Sequence, residues 1–128
     1  MTTTTSDRPW FAQYAVGVPR EIEEPKGSLY DLIATSAAAN PKQVALEFFG
    51  AETTYATLID QIERAAEGLR GLGVKAGDPV AIVLPNCPQH IAAFYAALRL
   101  GARVIEHKQS YTPAEMSQQF EDHGAKVA

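Results

Sequence analysis

Cys87, His90, Glu106, His107 and His123 are the side chains best suited to chemistry, and their spacing limits what that chemistry can be. Cys87 stands directly before Pro88, at an expected helix N-terminus, where the peptide dipoles favour a thiolate. His90 follows one helical turn on, so a Cys–His nucleophile pair is conceivable. Adjacent positions rarely give the base its geometry, however, and no third orienting group is in view. A structural cap at the helix start is the plainer reading. His90, His107 and His123 share no metal-ligand spacing, which argues against a zinc centre. Glu106-His107 closes a short apolar run, at the carboxyl end of an expected parallel strand, where open α/β sheets receive ligands. With Asn86 in the turn after the preceding strand, Glu106 and His107 make a candidate ligand cleft. An ordinary polar strand end is the alternative.

The glycine cluster "EGLRGLGVKAGD" invites a dinucleotide-binding reading, but its order is wrong. A phosphate loop follows a strand and opens a helix, so that amides and dipole meet the anion. These glycines follow a helix and precede a strand. The turn that does follow a strand, "LPNCPQH", has no glycine. The residues alone therefore offer no acid–base pair, no phosphate cradle and no metal cluster.

The elements that must position these groups are legible from pattern. Ser28 and Asp31 form an S-x-x-D cap, and Leu29, Leu32 and Ile33 mark a short helix ended by Asn40-Pro41. "VALEFF" at 44–49, "GAE" and "TTY" suggest a hairpin. Thr54 can cap a helix with a stripe of Leu58, Ile62, Ala65, Leu69 and Leu72, stopped by Gly71 and Gly73. Residues 78–85 form a continuous apolar run, the mark of a strand buried on both faces. Pro88 opens a helix with Ile91, Phe94, Tyr95 and Leu98 as its stripe and Gly101 as its stop. Residues 102–106 make a second buried strand. Thr112, Pro113 and Glu115 then start a helix as a capping box, and Gly124 ends it. "AKVA" begins a third strand. The fold class expected is α/β: a partial, mostly parallel βαβαβ sheet with flanking helices and a short hairpin. A parallel strand this short is either a deliberately short edge or the start of a sheet that continues in sequence beyond Ala128, and the second is the expectation.

Composition narrows the partners. Net charge is −4 and no Lys/Arg cluster breaks it, so nucleic acid is not an expected partner. No run of about 18 apolar residues spans a membrane. The start "MTTTTSDRPW" does not read as a signal peptide. A single cysteine allows no internal disulfide, which fits a cytoplasmic protein. Residues 1–27 read as an N-terminal arm and 28–128 as the α/β portion. Trp10, Phe11 and Tyr14 in the arm are many aromatics for a free tail. They either dock on the domain or serve as a peripheral membrane or homodimer contact.

Four stretches together resemble the N-terminal part of the adenylate-forming (AMP-binding) enzymes, and among them the bacterial long-chain fatty acyl-CoA synthetases. "RPWFAQYAVGVPREI" is similar to the family's leader, and "TTYATL" at 53–58 to its Thr-Tyr-x-x-Leu motif. "GVKAGDPVAIVLPNCPQHIAAFYAALRLGA" is similar to its Gly-Asp strand, Pro-Asn-x-Pro turn and Leu-x-x-Gly-Ala helix end. "YTPAEM" is similar to its Tyr-Thr-Pro-x-Glu segment. One departure stands out: Lys108, Gln109 and Ser110 occupy the turn where the family usually has Asn-Pro, so proline constrains it less.

The resemblance implies a long-chain fatty acid–CoA ligase as parent. Its carboxylate substrate attacks the α-phosphate of ATP to give an acyl-adenylate, from which the coenzyme A thiol displaces AMP. It implies ATP, Mg²⁺ and coenzyme A for the parent and none held by these residues alone, because the family's phosphate loop and lysine motif lie further along its chains. No catalytic, cofactor-binding or metal-binding residue is carried over. The matching residues Thr54, Tyr55, Leu58, Gly101, Thr112, Pro113 and Glu115 are scaffold, and the piece alone is expected to be inactive. A self-contained α/β small-molecule-binding module is the alternative.

Overall fold

The computed structural model describes residues 8–24 and 26–128. The first seven residues and Pro25, both read above as arm, lie outside the described residues.

Local caps set the first elements. Ser28 Oγ accepts the Asp31 N–H at 3.2 Å and the Asp31 carboxylate accepts the Ser28 N–H at 2.6 Å, opening α1 (Leu29–Ala39) with a reciprocal box. β1 (Val44–Phe48) pairs antiparallel with β2 (Ala51–Thr54). Their two-residue turn takes positive φ at both positions, 50° at Phe49 and 83° at Gly50, which matches the twist of a hairpin. The strand expected through Phe49 therefore stops at Phe48, and Phe49 is exposed.

α2 (Tyr55–Gly71) follows β2 without a loop, its first turn held by Thr54 Oγ1, which accepts the Thr57 N–H at 3.3 Å. Leu58, Ile62 and Ala66 are its buried residues. The expected stripe holds for Leu58 and Ile62 but fails at Leu72, which is 68% exposed. The helix ends at Gly71, so Leu72 is a cap residue outside the helical period.

β3 (Pro79–Ile82) and β4 (Arg103–Glu106) pair in parallel around the crossover helix α3 (Pro88–Arg99), with Val80 opposite Val104 and Ile82 opposite Glu106. β3 is shorter than the apolar run, but consecutive Val80, Ala81 and Ile82 are all buried, so both faces are covered. α4 (Pro113–His123) leads back to the sheet at Val127, which bridges Val80 in parallel while the Ala81 N–H donates to the Val127 carbonyl at 2.9 Å. Because β4 occupies one edge of β3, Val127 takes the other, and the order across the sheet is β4, β3, Val127. The first crossover runs from β3 to β4 and the second from β4 back past β3 to Val127, so the two travel in opposite directions across the sheet and right-handed connections put α3 and α4 on opposite faces.

Val74, Val80, Ala97 and Ala102 form a core cluster, with Leu69, Leu100, Val104 and Val127 packed around it. In α3 the expected stripe of Ile91, Phe94, Tyr95 and Leu98 is half-buried, whereas Ala96 and Ala97 expose nothing. Close packing leaves room there for a methyl group and no more. A polar cluster ties three helices together. The Tyr30 hydroxyl donates to Glu63 Oε1, Arg99 Nε donates to the same oxygen at 3.0 Å, and the guanidinium lies 5.1 Å from the centre of the Tyr30 ring.

The arm contains an element of its own, a 3-10 helix at Pro9–Gln13. It buries Phe11, with Arg8 and Arg20 at 5.7 and 5.6 Å from the ring centre. Trp10 and Tyr14 remain exposed. Among the described residues no helix is long and apolar enough to cross a membrane.

Candidate functional site

The register of β4 places Glu106 opposite Ile82, and the His107 N–H donates to the Ile82 carbonyl at 2.9 Å. Both residues thus stand at the carboxyl edge of the parallel pair. α3 opens beside them, with Cys87 at its N-cap and Pro88 as its first residue. From the first turn of α3, His90 brings Nε2 to 2.9 Å from Glu106 Oε1. The hydrogen bond to Glu106 holds the imidazole above its ordinary value of 6.5, against burial, which pulls it down. The carbonyls of Leu84 and Pro85 act in the same direction as Glu106, but neither completes a hydrogen bond to His90 Nδ1, which is buried without a partner.

His90 is therefore turned to Glu106 and not to Cys87. The Cys87 thiol is free, half-buried and makes no cap hydrogen bond, so neither the nucleophile pair nor a side-chain cap is formed. Pro88, which needs no N–H partner at the first helical position, starts this helix instead.

Asn86, His90 and Glu106 are shared by two adjoining clefts. One, of about 340 Å³, opens toward Leu46 and Phe48 of the hairpin. The other, of about 350 Å³, runs beside His107, Lys108, Gln109 and Ser110. The structure brings Asn86, Glu106 and His107 to one concave strand-end surface and adds His90, whose sequence spacing ties it to Cys87 instead.

His107 is only 6% exposed. Its ring stacks on Phe120 with centroids 5.3 Å apart and an interplanar angle of 23°, and its Nε2 lies 3.0 Å from Nε2 of His123. Burial, helped by the neighbouring His123, pushes His107 below 6.5. The two rings meet because α4 returns its last residue to the end of β4, a tertiary fact that their sequence separation does not announce.

The chemistry of this edge is limited. Among the described residues no group of three or more His, Cys, Asp or Glu is placed to hold a metal ion. The turn into α3 has no glycine, and Pro88 has no N–H to offer, so the helix start is a poor cradle for phosphate. No chemical step is assigned to these residues.

Residues 33–128 match the family described as AMP-binding enzyme. The chain belongs to the AMP-binding enzyme family. It is 33% identical over 122 residues to the long-chain-fatty-acid–CoA ligase of Bacillus subtilis, covering 95% of this chain and 22% of that protein. It is 36% identical over 120 residues to the ligase of the same description from Escherichia coli, covering 92% of this chain and 21% of that one. The chain therefore spans about a fifth of the length of the relatives it matches. Among solved structures it is similar to the inhibitor-bound N-terminal domain of FACL13 from Mycobacterium tuberculosis, at a TM-score of 0.75 and 28% identity. That match covers 78% of this chain and 26% of the other.

Within this AMP-binding enzyme chain the motif residues hold structural posts. Thr54 caps α2, Tyr55 is its first residue, and Leu58 is 1% exposed in the core. Gly101 has φ 72°, and a Cβ there would meet the Ala76 methyl at 3.2 Å, so both backbone and space favour glycine. Thr112 N–H and hydroxyl both donate to the Glu115 carboxylate at 2.8 Å, with Pro113 at the first helical position.

Proposed function

We propose that this chain is the N-terminal part of a long-chain fatty acid–CoA ligase, which joins a fatty acid to coenzyme A through an acyl-adenylate formed from ATP. The observation that carries the reading is identity of 33% and 36% to two long-chain-fatty-acid–CoA ligases along 95% and 92% of the chain. In this reading ATP, Mg²⁺ and coenzyme A serve the whole enzyme and are held by other parts of it. The residues of this chain contribute scaffold: the Thr54 and Thr112 caps, the Gly101 turn and the parallel pair β3–β4. A cytoplasmic location accompanies the proposal, supported by the single cysteine.

The test compares the 128-residue chain with the protein expressed from the uninterrupted reading frame. Given palmitate, ATP, Mg²⁺ and coenzyme A, the longer protein should release pyrophosphate and form the thioester, and the 128-residue chain should do neither. Turnover by the short chain would refute the scaffold reading. A longer protein active only on carboxylates without an alkyl chain would refute the substrate.

One observation favours a second reading, a small-molecule-binding module: the two clefts that share Asn86, His90 and Glu106. Under that reading the 128-residue chain retains a small carboxylate or amide in equilibrium dialysis, and Asn86→Ala abolishes the retention.

A further inference from the structure

We propose that His107 and His123 form an acid-released latch that fastens the segment from α4 to Val127 onto the sheet.

The direction of the hydrogen bonds fixes the protons. The Ala125 N–H donates to His123 Nδ1 at 3.0 Å. A ring nitrogen that accepts carries no hydrogen, so neutral His123 holds its proton on Nε2. That N–H faces His107 Nε2, 3.0 Å away, which must accept it. His107 consequently keeps its own proton on Nδ1, a buried nitrogen with no partner. The chain from Ala125 to His123 to His107 runs one way and requires both rings to be neutral.

This chain fastens two places at once. His107 is anchored to β3 through the Ile82 carbonyl, and its ring stacks on Phe120 of α4. His123 is the last residue of α4, and Ala125 lies next but one to Val127, which bridges Val80. Between them Gly124 adopts φ 68° as the left-handed cap of α4, its N–H donating to the Phe120 carbonyl at 2.9 Å, so one turn couples the helix end to the strand. An added proton breaks the chain wherever it lands. On His107 Nε2 it opposes the His123 N–H; on His123 Nδ1 it opposes the Ala125 N–H. Either way two donors face each other at hydrogen-bond distance, beside a buried His107 ring and a half-buried His123 ring.

The ionisable surroundings do not compensate. β3 brings no ionisable side chain, and β4 brings Arg103, whose Nε donates to the Gly77 carbonyl at the other end of the strand, and Glu106, already bonded to His90 of α3. The turn after β4 carries Lys108 and Tyr111, whose ring meets His107 edge-on at 6.4 Å. α4 carries Glu115, committed to the Thr112 cap, and then Glu121 and Asp122, with Lys126 beyond it. After burial, His123 is the one neighbour whose charge bears on His107, and it too disfavours the proton. His107 is depressed below 6.5, so the latch contributes fully above about that pH and is lost as pH falls through the lowered folded value.

Hydrogen exchange of the full chain, corrected for intrinsic rates, tests this at about pH 7.5 and about pH 5.5. Opening of residues 113–127 should accelerate several-fold, up to roughly tenfold, on acidification relative to β3 and β4. His107→Phe preserves a ring against Phe120 and should abolish that acceleration. Should the variant fail to fold, imidazole ¹⁵N shifts of the unaltered chain give an independent answer, with the proton expected on His123 Nε2 and His107 Nδ1. Acid-insensitive opening in the unaltered chain overturns the latch. So does acid sensitivity that persists in His107→Phe, or a proton found on His123 Nδ1 at neutral pH.

Discussion

His90 and Glu106 belong to different elements and meet at 2.9 Å, which joins the first turn of α3 to the last residue of β4. Because the bond raises the imidazole above 6.5, its contribution is fully present below that pH and is lost as pH rises through the raised value. Glu106 is half exposed, so solvent screens the pair and the contribution is on the order of 0.5 kcal/mol. Glu106→Gln should lower the His90 titration midpoint in an NMR pH series. An unchanged midpoint would refute the pairing.

The Tyr30–Glu63–Arg99 cluster should behave as a coupled unit, since both donors share one carboxylate oxygen. Tyr30→Phe is expected to cost about 1 kcal/mol in urea unfolding. A double-mutant cycle with Glu63→Gln should return a coupling of roughly 0.5–1 kcal/mol, whereas strict additivity would show that the two residues act separately. Burial and then the Glu63 hydrogen bond raise the Tyr30 phenol, so its ultraviolet titration should move down when Glu63 is neutralised.

Ile62 and Leu72 both lie on the apolar stripe expected of α2, but one is fully buried and the other is 68% exposed. Ile62→Ala should destabilise the chain by about 2–5 kcal/mol. Leu72→Ala should change stability by no more than about 0.5 kcal/mol. Comparable losses at the two positions would contradict the helix boundary at Gly71.

Thr112→Ala removes the acceptor for the Glu115 N–H and a donor to the Glu115 carboxylate. The helix should lose about 1 kcal/mol. Glu115, held below its ordinary 4.5 by the Thr112 backbone and side chain, should titrate closer to that value in the variant. Carbon-detected NMR of the carboxyl groups measures this directly.

What was readable from sequence shared one property, locality. The Ser28, Thr54 and Thr112 caps, the Gly101 and Gly124 stops and the β1–β2 hairpin each depend on residues within a few positions of one another. The alternation of β3, α3, β4 and α4 was legible for the same reason. Strand order was not, because nothing near Val127 says that it joins β3 on the edge away from β4. The same gap hid the candidate site. Glu106 and His107 were visible as a strand end, but their partners His90 and His123 arrive through two crossovers. Apolar size also misled in α3, where the bulky residues are half-buried and two alanines are sealed in.

Those two alanines have a consequence for the cleft at the other end of the same helix. Ala96 and Ala97 act as a spacer of fixed thickness, and α3 is stiff enough to carry any change in that thickness to its opening turn. A valine at either position would lever the helix outward, so the gap between an imidazole and a carboxylate is gauged by methyl groups that touch neither.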